Sequence, residues 1–277
     1  MLAILAIAAF AGNSLLARAA LADGAIEAGA FSAIRLASGA LVLLPFLSTR
    51  PSRKDLPGAL ALTVYVAGFS LAYLSLPAGL GAVVLFGCVQ ATILGIGAMR
   101  SERLRPTGWL GVAIAVSGMI WLMAPWEAAK GQESLLGAGL LMALAGMGWG
   151  VYTIIGRGSA SMAGGATGST ARNFLIASVL VLPLLAFDSE LPGASGVVLA
   201  ITSGAVTSGL GYVLWYKVAP RLGLGTVASV QLATPVAAAL GGSLLLAEPL
   251  TWRLAVGGGL ILGGIVLTLL KPTGEGT

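Results

Sequence analysis

The segment GFSLAYLSLP, Gly68 to Pro77, returns far along the chain as GYVLWYKVAP, Gly211 to Pro220. The shared pattern is a glycine, an aromatic ring beside it, a tyrosine four residues after the ring and a proline four after the tyrosine. Three more patterns recur in the same order around it. FAGNSLLAR, starting at Phe10, matches WGVYTIIGR, starting at Trp149. Arg35 and Arg172 each follow a serine by three residues and precede a proline, Pro45 and Pro183. The spacing E-x-L-x6-G-x6-G occurs as Glu102, Leu104, Gly111, Gly118 and again as Glu248, Leu250, Gly257, Gly264. All four pairs are offset by about 140 residues, the signature of an internal repeat. One such match could be chance in so apolar a chain; four in order make it one unit duplicated.

The unit is built for lipid. Of 277 residues, 57% are hydrophobic and 41 are Gly, while 9% are charged, against about a quarter in a soluble domain. A helix needs ~20 apolar residues to cross the hydrocarbon. Charge and turn clusters cut the chain into ten runs of about that length: 1–20, 28–47, 57–76, 80–99, 106–124, 135–155, 170–187, 194–216, 223–246 and 252–270. The third and fourth are separated only by LSLPAGLG, where Pro77, Gly79 and Gly81 must reverse the chain, because an unbroken run from 57 to 99 is about twice a bilayer. Five spans per unit is an odd number, so the second copy enters the membrane in the opposite sense. The predicted fold is an all-α polytopic membrane protein, ten transmembrane helices arranged as two inverted five-helix repeats around a central cavity. The repeats are 1–124 and 135–271, joined by 125–134. Inverted repeats recur in transporters, with the substrate held near the midplane between them.

Eleven of the 15 Lys and Arg residues fall in the even loops and C-terminal tail, whereas Arg18, Lys130 and Arg253 are in odd loops and Arg35 is inside a span. The positive-inside rule then puts both termini in the cytoplasm. The +5 net charge is a topology signal, and no nucleic-acid partner is expected; the expected partners are the bilayer and a small-molecule substrate, with no obligate protein partner. With 0 His and the single Cys88, a His-based metal site, a Ser/His/Asp triad and an internal disulfide are excluded. No metal, cofactor or enzymatic activity is expected.

No Asp or Glu falls mid-span, which argues against an intramembrane proton carrier. Arg35 is the one charge inside the bilayer, read as a few residues from the outer end of its span. It either snorkels to the interface along its apolar stem or meets a substrate carboxylate. The other intramembrane polarity is neutral and aromatic. Tyr65, Phe69 and Tyr73 recur every four residues on one face of span three, and Ser208, Tyr212 and Trp215 do much the same in span eight. Asn13 and Ser14 lie in span one, Gln90 and Thr92 in span four, Trp149, Tyr152 and Thr153 in span six, Gln231 and Thr234 in span nine. These spans are equivalent in pairs under the repeat, which points to one shared cavity. The candidate lining is Asn13, Ser14, Phe69, Tyr73, Gln90, Trp149, Tyr152, Tyr212, Trp215 and Gln231, with Arg35 as the candidate carboxylate contact. Tyr73 and Trp149 are expected to pack on the substrate side chain, and Asn13, Tyr212 and Gln231 to hold its polar end. Pro235 is expected to kink span nine. The paired glycines Gly111, Gly118, Gly257 and Gly264 read as close helix packing, and Glu102 and Glu248 as caps or arginine partners.

In these residues the chain resembles the drug/metabolite transporter superfamily, in particular its ten-helix EamA-type exporters. That family's marks are W-G/A starting the first helix of each repeat, an Arg early in the second, a proline in the fourth and a helix-end G-E-x-L before spaced glycines. Here they stand as Trp149-Gly150, Arg35 and Arg172, Pro235, and Glu102 and Glu248 with their glycines; Phe10-Ala11 replaces the first W-G, and span four has no proline. The chain is most similar to YddG-type bacterial amino-acid exporters. The resemblance implies export of aromatic and other neutral or apolar amino acids, or related metabolites, across the bacterial inner membrane by alternating access. Rings would hold an apolar side chain while Asn, Gln and Tyr meet the ammonium and carboxylate. Other readings make different demands: a cationic-drug exporter wants a buried carboxylate, a nucleotide-sugar carrier buried Lys or Arg for phosphates, and an intramembrane hydrolase a nucleophile with a base.

Overall fold

The computed structural model describes residues 2–100, 106–123, 135–159, 164–219, 231 and 233–269. Backbone groups in hydrocarbon have no water to bond, so each segment must satisfy its own. Among the described residues the chain is accordingly helical throughout, without a strand. In chain order the helices are α1 (Leu2–Leu21), α2 (Ala28–Leu43), α3 (Leu56–Tyr73), α4 (Ala78–Arg100), α5 (Pro106–Met123), α6 (Leu136–Gly158) and α7 (Gly165–Leu180). Then come α8 (Ala194–Val218), α9 (Ala233–Leu246) and α10 (Trp252–Leu269). Seven stretches, α1 to α4 and α6 to α8 with their short 3-10 extensions, are long and apolar enough to cross a membrane, and α5, α9 and α10 hold shorter apolar helices. The expected hairpin between spans three and four is there: α3 stops at Tyr73, the amide of Leu76 still reaches the Ala72 carbonyl at 2.9 Å, and α4 begins at Ala78.

Polarity is arranged inside out. Ile4, Leu41, Leu140, Val179, Leu244 and Leu245 are exposed on the outer surface, while Ser32, Arg35, Ser70, Gln90, Gln231 and Thr234 are 0% exposed. Water would penalise that surface and lipid favours it; the chain is a multi-pass membrane protein.

Helices pair across the two halves of the sequence: α3 and α4 with α6, α1 with α8 and α9, α2 with α7 and α8, α3 with α7, α4 with α9, α5 with α10. The glycine spacing explains the last of these. A Cβ on Gly118 would stand 2.8 Å from the Gly257 carbonyl oxygen, and one on Gly264 would stand 2.5 Å from that of Gly111, so only bare backbone lets α5 and α10 come this close.

Polar ties close both ends of the bundle. At one end Arg18 pairs with Glu248 (Nε to Oε1, 3.0 Å) and donates to the carbonyls of Tyr73 and Leu74. The other Glu248 oxygen accepts the first amide of α4, from Ala78, at 2.8 Å, so Glu248 serves both as arginine partner and as helix cap. Asp188 likewise accepts the amides of Gly29 and Ala30 at the start of α2, and Glu27 accepts the amide and hydroxyl of Ser189. At the opposite end Arg172 pairs with Asp55 at 2.8 Å and donates to Thr49 at 3.1 Å. Glu102 lies outside the described residues. So do 220–230 and 232, which leaves the helix preceding Pro235 incompletely described; Pro235 itself stands in the first turn of α9.

Candidate functional site

α8 is a normal helix at both ends and a π-helix over Ser203–Leu210, a rare winding that tends to mark functional sites. The wide turns bring Ser203, Thr207 and Ser208 together on the inner face. Ser203 and Thr207 donate to Asn13 Oδ1 at 2.7 and 3.1 Å, and Ser208 Oγ accepts from Arg35 Nε at 3.0 Å. Arg35 Nη2 donates to the Tyr65 hydroxyl at 2.9 Å, and Asn13 Nδ2 donates to the same oxygen at 3.2 Å. One connected polar cluster therefore joins α1, α2, α3 and α8 in the middle of the protein.

Arg35 is 0% exposed. Its guanidinium carbon lies 5.1 Å from the centre of the Tyr65 ring and 4.8 Å from that of Phe69. Hydrogen bonds to neutral hydroxyls and ring faces stabilise the cation, yet Nη1 has no hydrogen-bond partner and no carboxylate pairs with the group among the described residues. The Tyr212 hydroxyl is close enough to interact with it. Burial inside the bundle excludes snorkelling. Arg35 lies on α2 between Ala28, at the end expected to face outward, and the 3-10 turn at Pro45. Its repeat counterpart Arg172 differs in being neutralised by Asp55.

Beside the cluster is a cavity of about 10 Å³, roughly one water's worth of space, lined by Phe10, Asn13, Tyr65, Phe69, Leu85, Phe86, Trp149 and Tyr212. Its walls are aromatic rings set tilted or edge-on to one another. Phe69 and Tyr65 are 5.4 Å apart, Tyr65 and Trp149 5.1 Å, Trp149 and Tyr212 4.7 Å.

Of the residues expected to line a shared cavity, Asn13, Phe69, Trp149 and Tyr212 do so. The other six stop short of it in this conformation. Tyr73 packs on Phe69 but bonds the Ala78 carbonyl at 3.3 Å, where it fastens the α3–α4 hairpin, and Ser14 is its neighbour. Gln90 and Gln231 face each other instead, at 3.2 Å across the two halves. Tyr152 and Trp215 stand behind the wall, against Trp149 and Phe10 respectively. Missed as lining candidates were Phe10, Tyr65, Leu85 and Phe86. Tyr65 belongs to the four-residue aromatic stripe and Phe10 is the repeat equivalent of Trp149, so both were signalled; nothing in the sequence marks Leu85 or Phe86.

An apolar exterior, a helical bundle tied at both ends and a buried polar site with an uncompensated cation define a membrane transport protein rather than a soluble binder. Residues 136–270 match the EamA-like transporter family. The chain is 46% identical to an uncharacterized protein of Pseudomonas aeruginosa over 281 residues, covering 99% of this chain and 96% of that one. It is 27% identical to an uncharacterized transporter of Archaeoglobus fulgidus, over 85% of this chain and 86% of the other. To the threonine/homoserine exporter RhtA of Salmonella typhimurium it is 29% identical, over 82% and 76%. A solved crystal structure of a protein not otherwise described shares the fold at a TM-score of 0.68 and 19% identity, over 96% of this chain and 94% of that one. The chain belongs to the EamA-like transporter family, within the drug/metabolite transporter superfamily.

Proposed function

We propose that the protein exports neutral amino acids and closely related carboxylates, and that Arg35 binds the carboxylate. The observation that carries this is the guanidinium itself: fully buried inside the bundle, with Nη1 unpartnered and no carboxylate beside it among the described residues. A buried cation without a counter-ion is costly, and a substrate carboxylate would supply one. The aromatic wall suits an apolar side chain, while a cationic drug would find no carboxylate among the described residues of the cavity. The likeness to a threonine/homoserine exporter points the same way.

The reading includes ten spans, formed by the seven long helices and the three shorter ones, in two inverted units, 1–124 and 135–271. The linker 125–134 lies outside the described residues. Helix pairing supports the inversion: exchanging α1 with α6, α2 with α7, α3 with α8, α4 with α9 and α5 with α10 turns α3–α6 into α1–α8, α4–α6 into α1–α9 and α2–α8 into α3–α7. The family match, 136–270, spans one such unit. Access alternates as the ties at the two ends of the bundle break in turn, in a bacterial inner membrane with both termini cytoplasmic. The role is transport rather than catalysis.

Counterflow in proteoliposomes tests this. Vesicles loaded with unlabelled L-threonine and containing purified protein should accumulate external labelled threonine. Vesicles containing monodisperse, correctly inserted protein that accumulate neither threonine nor any other neutral amino acid would refute the reading.

A further inference from the structure

The Phe10 ring is the hub of the aromatic wall. It meets Phe86 at 6.4 Å, Trp149 at 5.7 Å, Tyr212 at 6.1 Å and Trp215 at 5.6 Å, rings from α4, α6 and the part of α8 that follows its π-turns. It is 6% exposed and lines the cavity. Two of those rings carry buried donors without partners among the described residues, Trp149 Nε1 and Trp215 Nε1, and the Tyr212 hydroxyl lies beside Arg35. Buried N–H and O–H groups are normally paired, so an apolar ring stands among groups fit to meet a polar ligand.

Register makes the geometry consequential. Asn13 lies three residues after Phe10 on the same continuous helix, and it is tied through Tyr65 to Arg35. Residues three apart share a helix face one turn from each other. A substrate whose carboxylate is at the Arg35 cluster therefore extends its side chain past Phe10, and α1 cannot keep Asn13 in place while withdrawing Phe10. The room left there is about 10 Å³, one water's worth, so the space open to any entering side chain depends on how much of it Phe10 fills.

We infer that Phe10 is the size-determining residue of the side-chain pocket, and that the site takes amino acids with small aliphatic or hydroxylated side chains and rejects indole-sized ones. This rests on the reading of the cavity as the carboxylate-binding transport site.

The experiment is counterflow of labelled L-alanine, L-threonine, L-phenylalanine and L-tryptophan through wild type, Phe10→Leu, Phe10→Val, Phe10→Ala and Phe10→Trp. Pocket-size discrimination runs about 10- to 200-fold per methylene-scale change. The wild type should favour alanine over tryptophan by roughly tenfold or more, and the tryptophan-to-alanine rate ratio should climb stepwise as the side chain shrinks and fall for Phe10→Trp. The graded series and the opposite-signed Phe10→Trp keep the test decisive even if Phe10→Ala does not fold. Ratios within twofold across the series, or a wild type that favours tryptophan, would overturn the size role. A wild type that moves none of the four would instead refute the transport reading on which it rests.

Discussion

Replacing Arg35 with methionine separates what the residue does for the fold from what it does for the substrate. On the substrate side, truncating one partner of a buried, hydrogen-bonded charge pair costs about 2 to 5 kcal/mol, so Kd for L-threonine should rise roughly 30- to 5,000-fold. On the folding side the terms nearly cancel. The guanidinium gains two charged hydrogen bonds, to Tyr65 and Ser208, worth about 1.5 to 3 kcal/mol each. It also gains two ring contacts worth up to about 2 kcal/mol each. Against them stands a desolvation penalty of several kcal/mol with no counter-ion to offset it. Methionine follows the arginine stem as far as Nε and offers a sulfur to the rings, and Tyr65 retains its bond from Asn13. The substrate-free unfolding midpoint of Arg35→Met should therefore match or exceed wild type, while binding of labelled threonine by the purified protein collapses. Arg35→Lys, which keeps the charge and loses the fork that spans Tyr65 and Ser208, should fall between. Threonine affinity within twofold of wild type would refute the reasoning. So would a fall of about 10 °C in the substrate-free midpoint, which would make Arg35 a structural residue.

Three further expectations follow from the ties and the charge pattern. Glu248→Gln removes the Arg18 ion pair and weakens the cap on α4, together worth about 1 to 2 kcal/mol; in a Cys88→Ala, Ser14→Cys background it should speed labelling of that cysteine by an impermeant maleimide about 5- to 30-fold from the Arg18 end, and an unchanged rate would dismiss the tie as a gate. Efflux down a threonine gradient should persist with the pH gradient collapsed, since the described spans hold no mid-membrane carboxylate; uphill accumulation driven by a pH gradient alone would contradict this. In Cys88→Ala protein, Ser52→Cys should react with the same reagent only from the cytoplasmic side and Glu190→Cys only from outside, and the reverse pattern would invert the topology.

The seven long spans and the α3–α4 hairpin were legible because hydrocarbon imposes a length and excludes charge, and Gly111, Gly118, Gly257 and Gly264 because spacing alone shows which face is bare. The cavity was only half legible. Periodicity shows which side of a helix is interior, but an interior side can face the cavity or a neighbouring helix. Tyr73 and Phe69 share a stripe, yet one turn decides that Tyr73 fastens a hairpin while Phe69 lines the site. Gln90 and Gln231 carry the right chemistry and use it on each other. That Arg35 turns inward rather than snorkelling depended on the partners that α3 and α8 bring to it, Tyr65 and Ser208, which the period of one helix does not show. The π-turns of α8 have no period to betray them, although they set the partners of Asn13 and Arg35.

The central claim is that Arg35 reads a carboxylate, and one comparison addresses it without altering the protein. Inhibition of labelled L-threonine counterflow should be measured for L-threonine and for L-threoninamide, which keeps the ammonium, the side chain and the size and lacks only the negative charge. Loss of a buried charge partner worth about 2 kcal/mol or more predicts an amide at least roughly 30-fold weaker in wild type, with the difference vanishing in Arg35→Met. An amide that inhibits wild type as well as the acid does would contradict the account.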